Sequence, residues 1–470
     1  MRVKEPLGRS HGCRQDHEGQ DDHARSLLPS RRDDDREERR LGAVSGQIGR
    51  RSTVERGHRR PLTTIFGTVS VTRLAYRRRG EENLYLADAA LNLPEERHSH
   101  GLRELSAIES SRGSFEEAKE AIRRATGVGV AKRQVEALAV RSAVDFEAFY
   151  ESTPRSEVDH SDILVLSVDG KGIVMRPDAL RPQTAKAAGR ASAKLATRLS
   201  KGEKRNRKRM AEVGAVYNVT PVVRAPTDII CHDGADKAPV PEARNKWLTA
   251  SVVADAAVVI SEVFDQAERR DPAHRRSWVA LVDGAKHQIE RIKAEAKARN
   301  VTVAIVCDFV HVMEYLWSAA WSFFSEGDPA AEEWVADKAL GVLNGKASTV
   351  AASIRRKATC LGLDPRSRHN ADRSADYLLA KRDYLDYPRA LEGGWPIATG
   401  VIEGACRHLV KDRLDLTGCR WGLTGAEAVL KLRALRSNGD FDRYWRFHLG
   451  RERQRVHGAR YEDGVIPLAS

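Results

Sequence analysis

Three acidic residues, far apart in the chain, have the types and settings that metal-assisted phosphate chemistry uses. The stretches SVDGKG (Ser167 to Gly172) and LVDGAK (Leu281 to Lys286) each close an apolar run on aspartate and glycine. A short apolar run bounded in this way reads as a buried strand whose first residue outside the sheet is a carboxylate. Neighbouring strands lie about 4.8 Å apart, so Asp169 and Asp283, on adjacent strand ends, would hold a divalent metal between them. The third is Glu403. In Thr399 to Arg413 the residues Ile402, Ala405, Cys406, Leu409 and Val410 make one apolar helical stripe, with Glu403, Arg407 and Lys411 on its flank. Packing that stripe on the sheet would aim Glu403 toward the aspartate edge, although in isolation Glu403 reads as a solvated carboxylate paired with Arg407. Hard carboxylate oxygens without a cysteine or histidine cage suit Mg²⁺ or Mn²⁺, and two such ions. In a two-metal site one ion activates the attacking oxygen and the other stabilises the leaving 3′ oxygen. Water as nucleophile cuts a strand; a 3′-hydroxyl joins one.

The elements that would position these residues follow from periodicity. From Asp162 the chain reads as an α/β unit. Ile163 to Val168 is a buried strand and Val213 to Val223 supplies one or two more. Val252 to Arg270 is an amphipathic helix, Trp278 to Val282 a strand, Lys286 to Arg299 a helix and Val301 to Cys307 a strand. This alternation implies a five-stranded sheet with parallel members, covered by helices on both faces. Strand character is then lost, and Ala330 to Leu343 and Val350 to Leu361 are helical by period, which makes residues 312–394 an all-α insertion. Gly393-Gly-Trp-Pro396 must break the chain before the Glu403 helix. Residues 161–311 and 395–447 are thus two parts of one core, the second closing on an amphipathic helix at Ala426 to Leu435, and 448–470 is a basic tail.

Ahead of this core, residues 1–60 are poor in apolar side chains and dense in both signs of charge, as in RRDDDREERR (Arg31 to Arg40), and are expected to be disordered. Residues 61–160 read as a β-hairpin with a basic rim at Arg77-Arg-Arg-Gly80, followed by short helices. Ser114 and Glu117 form a capping box, Phe115, Ala118, Ala121 and Ile122 make an apolar face, and Thr126-Gly127 ends that helix. A second helix from about Val130 carries Lys132, Arg133 and Gln134 on its first turn. The pair resembles a DNA-binding helix-turn-helix, and equally any helical hairpin.

The most basic segment lies between the first two strands of the core. Lys186, Arg190, Lys194 and Arg198 recur every fourth residue, and Lys201, Lys204, Arg205, Arg207, Lys208 and Arg209 follow. Like charges at this spacing weaken a free helix, so the stripe makes physical sense against a phosphate backbone that releases counterions. Arg407, Lys411 and Lys171 could neutralise a phosphodiester beside the carboxylates. Trp421, next to Arg420, could stack on a base or pack in the core.

Composition agrees with a polyanionic partner. The 470 residues hold 79 Lys and Arg against 66 Asp and Glu, a formal charge of +13. The length has room for about three domains. No apolar run approaches the roughly 20 residues that span a bilayer, and no signal-peptide pattern opens the chain, so a cytoplasmic protein without membrane contact is expected. Cys13, Cys231, Cys307, Cys360, Cys406 and Cys419 include no C-x-x-C pair, which fits reduced thiols rather than disulfides or zinc.

An aspartate on the first strand, an aspartate after the fourth and a glutamate on a later helix is the order that an RNase H-like nuclease core requires. LSVDGKGIVMRP, the pair LVDGAK and CDFVHVMEYLW, and GWPIATGVIEGACRHLVKDRLDLTGCRWGL resemble the ISKra-type insertion-sequence transposases of the Mutator-like DDE superfamily. The similarity runs from about Leu62 to Phe447 and includes FGTVSVTRLAYR, whereas the first 35 or so residues do not resemble the family's usual N-terminal helical region. The resemblance implies an RNase H-like catalytic core with an Asp-Asp-Glu triad at Asp169, Asp283 and Glu403. It also implies double-stranded DNA partners, namely element ends and target. Asp308 with His311 matches the Cys-or-Asp-x-x-His signature of similar transposases, so Asp308 is the other candidate for second ligand. Topology favours Asp283, which follows the fourth strand rather than the fifth. Because two DNA ends must meet, a homodimer or higher assembly on DNA is expected. The competing readings are a metal-dependent nuclease of the same fold, and a DNA-binding protein that does not cut.

Overall fold

The computed structural model describes residues 43–153, 161–190, 203, 206–230, 240–416 and 418–467. The chain divides into two compact units, one of Met1–Arg103, Thr126–Val128 and Arg446–Ser470, the other of Glu104–Ala125 and Gly129–Trp445.

In the first unit Val44–Gly46 (β1) and Gly49–Arg51 (β2) form a small antiparallel pair, and Thr53–Thr64 (β3) with Gly67–Arg77 (β4) a long hairpin. Leu74, Tyr76 and Val44 pack with Leu84, Leu86, Ala89 and Tyr461 into its core. Residues 1–42 lie outside the described residues, but the expectation of disorder to residue 60 is wrong from Val44 onward. The charged residues there need no apolar core of their own, because they fall on both faces of β3 and find partners: Asp88 binds both Arg60 and Arg73, and Glu55 binds Arg77. Leu86–Ala90 (α1) follows, and then His100–Arg112 (α2).

The second unit begins within α2, at Glu104, and continues with Phe115–Thr126 (α3), Lys132–Arg141 (α4) and Phe146–Ser152 (α5). The capping box at α3 forms as expected: Ser114 N donates to Glu117 Oε2 at 2.6 Å and Glu117 N to Ser114 Oγ at 3.1 Å. Phe115, Ala118 and Ile122 are buried, and the helix stops ahead of Gly127 at φ 71.

Ile163–Val174 (β5), Lys208–Val219 (β6), Ala243–Ser251 (β7), Trp278–Val282 (β8) and Val303–Cys307 (β9) make one mixed sheet in the order β7-β6-β5-β8-β9. β6 is antiparallel to β5 and to β7, while β8 runs parallel to β5 and β9 parallel to β8. Ile163 to Val168 are all buried because β5 is the central strand, with helices on both of its faces. Ala256–Arg270 (α7, after Pro182–Arg190, α6) covers one face. Its approach depends on Gly214 of β6, where an added Cβ would stand 2.5 Å from Val263 Cγ2. Gly214→Ala is therefore expected to cost about 1–3 kcal/mol through overpacking, read as a lower denaturation midpoint with an unchanged slope.

Past α7, the fully buried Asp271 accepts from the amides of Arg275 and Arg276, each at 3.0 Å, and from the Trp278 indole at 2.9 Å. Burial alone would raise its carboxyl; these donors hold it below the ordinary value and pin the start of β8. Lys286–Ala298 (α8) connects β8 to β9. The helical segment after the sheet holds Phe309–Ala320 (α9), Pro329–Leu343 (α10), Ala347–Cys360 (α11), His369–Lys381 (α12) and Tyr387–Glu392 (α13). Gly400–Ala405 (α14) then runs into a π-helical turn, Cys406–Lys411, and a last α turn, Asp412–Leu414. Leu423–Ser437 (α15) and Phe441–Val456 (α16) close the chain. The boundary expected at 447 falls inside α16, so residues 448–456 are helix rather than tail. Among the described residues no helix is long and apolar enough to cross a membrane.

Candidate functional site

β5 does not stop at Asp169, as its sequence pattern suggested. It runs on to Val174 because β6 stays in register with it as far as the pair Val174↔Lys208. What ends near Asp169 is the ladder to β8, whose pairs run from Leu164↔Trp278 to Ser167↔Leu281. Carried two residues further, that register sets Asp169 beside Asp283, the residue after β8. Strand alternation puts Asp169 and Gly214 on opposite faces, because Asp169 pairs with Val213 and Val168 with Gly214. Asp169 is therefore on the face away from α7, and α14 covers that face. The Cys406 thiol, one helical turn past Glu403, donates to Asp169 Oδ2 at 3.3 Å, and Gly170 N donates to Oδ1 at 2.6 Å. Burial, with the Asp169 charge beside it, pushes the Cys406 thiol well above the usual range.

Asp283 is half-buried on a sharp turn that Gly284 permits at φ 95. Its Oδ1 accepts from Ala285 N at 2.8 Å, and the Tyr377 hydroxyl of α12 donates to its carbonyl at 3.4 Å. Asp308 differs. It is 3% exposed and caps α9, its Oδ1 taking Val310 N at 2.9 Å. Thr399 N donates to the same oxygen at 3.3 Å, and Thr399 Oγ1 donates to Oδ2 at 2.5 Å. Both oxygens of Asp308 are spent on tying the chain ahead of α14 to the end of β9.

The expected apolar stripe of α14 and its π-helical turn is in place, with Ile402, Ala405, Cys406, Leu409 and Val410 all buried. Glu403 is exposed and does not pair with Arg407, which meets Asp412 at 3.8 Å instead. Glu403 Oε1 lies 3.2 Å from Thr399 Oγ1, so one hydroxyl sits between two carboxylates and has a single proton to give. Partial burial and then the charges of Asp308, Glu314 and Asp169 raise the Glu403 carboxyl above its ordinary value. A raised carboxyl favours the neutral form in the fold, and stability is lost as pH rises from the unfolded pKa through the folded one. Glu403→Gln is thus expected to leave thermal stability unchanged in acid and to raise it modestly at neutral pH, read from melting temperature against pH.

Among the described residues no group of three or more His, Cys, Asp and Glu side chains is arranged to hold a metal ion. Asp169, Asp283 and Glu403 are brought to one face of the sheet without being drawn to chelating distance. The donor set nonetheless fits a hard divalent cation, being all carboxylate, with Glu403 penalised by uncompensated negative neighbours.

The remaining candidates divide. Lys171 is half-buried two residues beyond Asp169, and its charge reaches the Cys406 thiol. Lys411 is exposed on the same helical run as Glu403. His311 Nδ1 pairs with Glu314 at 3.0 Å and stands edge-on to Tyr315 and Tyr377, the contacts of a structural histidine. Trp421 is 6% exposed, donates from Nε1 to Leu414 O at 3.0 Å and lies under the Arg413 guanidinium, so it is a core residue and not a base-stacking one. Arg133 is exposed on the first turn of α4, but the Gln134 side chain accepts from Ala131 N at 3.2 Å and so caps that helix. In the basic segment, Lys186 and Arg190 are exposed on α6, and Lys194, Arg198, Lys201, Lys204 and Arg205 lie outside the described residues. Arg207 is half-buried, its carbonyl taking Met175 N at 3.0 Å. Lys208 and Arg209 belong to β6 rather than to a basic stripe: Lys208 pairs with Asp415 at 3.7 Å and Arg209 donates to Val252 O at 2.7 Å.

Sequence reasoning missed Thr399, Cys406 and Tyr377. Only Thr399 carried a signal, a hydroxyl four residues ahead of Glu403 at the start of a helix. No protein-family model matches this chain. No curated protein matches it either.

Proposed function

We propose that this chain is a DDE transposase of the ISKra type, with an RNase H-like core in which Asp169, Asp283 and Glu403 hold two Mg²⁺ or Mn²⁺ ions. One observation carries the reading: the central strand of a β7-β6-β5-β8-β9 mixed sheet bears Asp169 two residues past its ladder with β8, Asp283 follows β8 by the same step, and the helical run that bears Glu403 contacts Asp169 through Cys406. That strand order, with the second strand antiparallel, is the one an RNase H-like core uses. When bound, the ions would activate an attacking oxygen and stabilise a leaving 3′ oxygen. The protein's part is positioning. Asp271 anchors the start of β8, the turn at Gly284 presents Asp283, and Asp308 with Thr399 fixes the entry of α14 so that Glu403 can swing toward Asp169. Lys171 and Lys411 flank the carboxylates and would meet phosphate oxygens. DNA is the proposed partner, in the cytoplasm, with two copies pairing two element ends.

The test is incubation of the full chain with DNA bearing the sequences that flank its reading frame, a plasmid target and Mg²⁺. Cleavage leaving 3′-hydroxyls and joining of those ends to the plasmid are expected, both lost with EDTA. Cleavage that never yields joined product would replace transposase with nuclease. Binding without cleavage would replace it with a DNA-binding protein.

A further inference from the structure

Beside α14, away from the carboxylates, the second unit opens on a cleft of about 640 Å³. Lys246 and Leu248 of β7 form one wall, Gly400 and Gly404 of α14 the floor, and His408, Arg433 and Arg436 the other wall. Among the described residues no Asp or Glu lines it. Arg433 is fastened from behind by neutral partners, its Nε donating to the carbonyls of His408 at 2.9 Å and Leu409 at 3.1 Å. Arg436 Nη1 donates to Ser111 Oγ at 2.7 Å, again a neutral partner. These bonds orient two guanidinium groups. Burial pulls both arginines below their ordinary range, partly offset by Asp412 at Arg433 and by Glu109 at Arg436. Lys246 is exposed and makes no ion pair among the described residues.

The floor supplies an independent observation. Neither Gly400 nor Gly404 has a positive φ, and nothing lies within 4 Å of where a Cβ would stand on either. Glycine inside a helix costs about 1 kcal/mol relative to alanine, yet neither packing nor backbone conformation asks for it at Gly404. What the two glycines provide is one turn of bare helix backbone open to the cleft, which allows close approach by a ligand.

We propose that this cleft is a phosphodiester groove, in which a nucleic-acid strand lies against the bare Gly400–Gly404 turn with its phosphates on Lys246, Arg433 and Arg436. Lys246 of β7 and Arg433 and Arg436 of α15 line one cleft that no Asp or Glu among the described residues lines, which suits a polyanion whose backbone charges are met by several cations. The choice of DNA as the strand rests on the proposed function; the groove itself does not require catalysis.

Fluorescence anisotropy of the full chain with a labelled random-sequence duplex, in EDTA, tests it. Lys246→Glu and Gly404→Gln are each expected to weaken binding about tenfold, and Lys246→Ala to lower the salt slope by about one. Gly404→Gln fills the cleft without adding charge, and its melting temperature should match or exceed that of the parent, which separates lost binding from lost folding. Inorganic phosphate at matched ionic strength should displace the duplex no better than chloride. Parent-like affinity in both variants, displacement by phosphate, or no measurable binding by the parent would overturn the proposal. If Asp169→Asn and the parent bind alike through this groove while neither cuts, the transposase reading falls and the groove stands.

Discussion

Replacing Asp169 by asparagine is expected to reduce Mg²⁺-dependent cleavage by about a thousandfold or more while leaving melting temperature and DNA affinity near those of the parent. Asparagine keeps the shape of the side chain and an oxygen for Gly170 N, which donates to Asp169 Oδ1 at 2.6 Å. It keeps no negative charge for a metal. Asp169 is also the carboxylate best placed for the central role, on the middle strand and in contact with the helix that bears Glu403. Gel assays of cleavage alongside thermal melts would check both halves. Unchanged cleavage by this variant would remove Asp169 from the mechanism.

The second large effect separates the two aspartates that compete for the role of second ligand. Asp308→Ala removes an N-cap, worth about 1 kcal/mol. It also leaves the buried Thr399 N without its acceptor, at about 1–3 kcal/mol more, and leaves Thr399 Oγ1 only Glu403 to donate to. Destabilisation of roughly 2–4 kcal/mol is expected from these contributions, seen as a lower denaturation midpoint. Asp283→Ala gives up one local turn bond, to Ala285 N, and is expected to cost little stability. Its loss should fall on metal-dependent cleavage instead. The reverse pattern, a stable Asp308→Ala protein without activity and a destabilised but active Asp283→Ala protein, would exchange their roles.

The parts of this fold that periodicity could reach are those with one buried face. Trp278–Val282 forms the strand its unbroken apolar run predicts, and the stripe from Ile402 to Val410 is buried as its spacing predicts. β7 escaped because Arg244, Asn245 and Lys246 make an edge strand read like a loop, and Asn245 takes φ 50. The basic run entering β6 looks like a continuation of the phosphate-binding stripe because charge hides pairing: Lys208 and Arg209 lie in the ladder with β5, where their side chains find Asp415 and backbone carbonyls. Trp421 carried no mark of burial in its neighbours. Its ring partner Phe115 comes from a distant segment, and Arg413, eight residues back, covers it only once the intervening turn has formed. At the candidate site the acidic residues were legible because strand ends and a helix flank declare themselves. The division of labour between Asp283 and Asp308 was not, since it depends on Thr399 reaching across from α14's entry.

The central claim is that Asp169, Asp283 and Glu403 share a metal. Crystals of the full chain grown with Mn²⁺ and measured at the manganese absorption edge address it directly. Anomalous density is expected between Asp169 and Asp283, with Glu403 turned from Thr399 to complete the coordination. Manganese bound elsewhere, or a well-ordered Glu403 still beside Thr399 with no ion near Asp169, would contradict it.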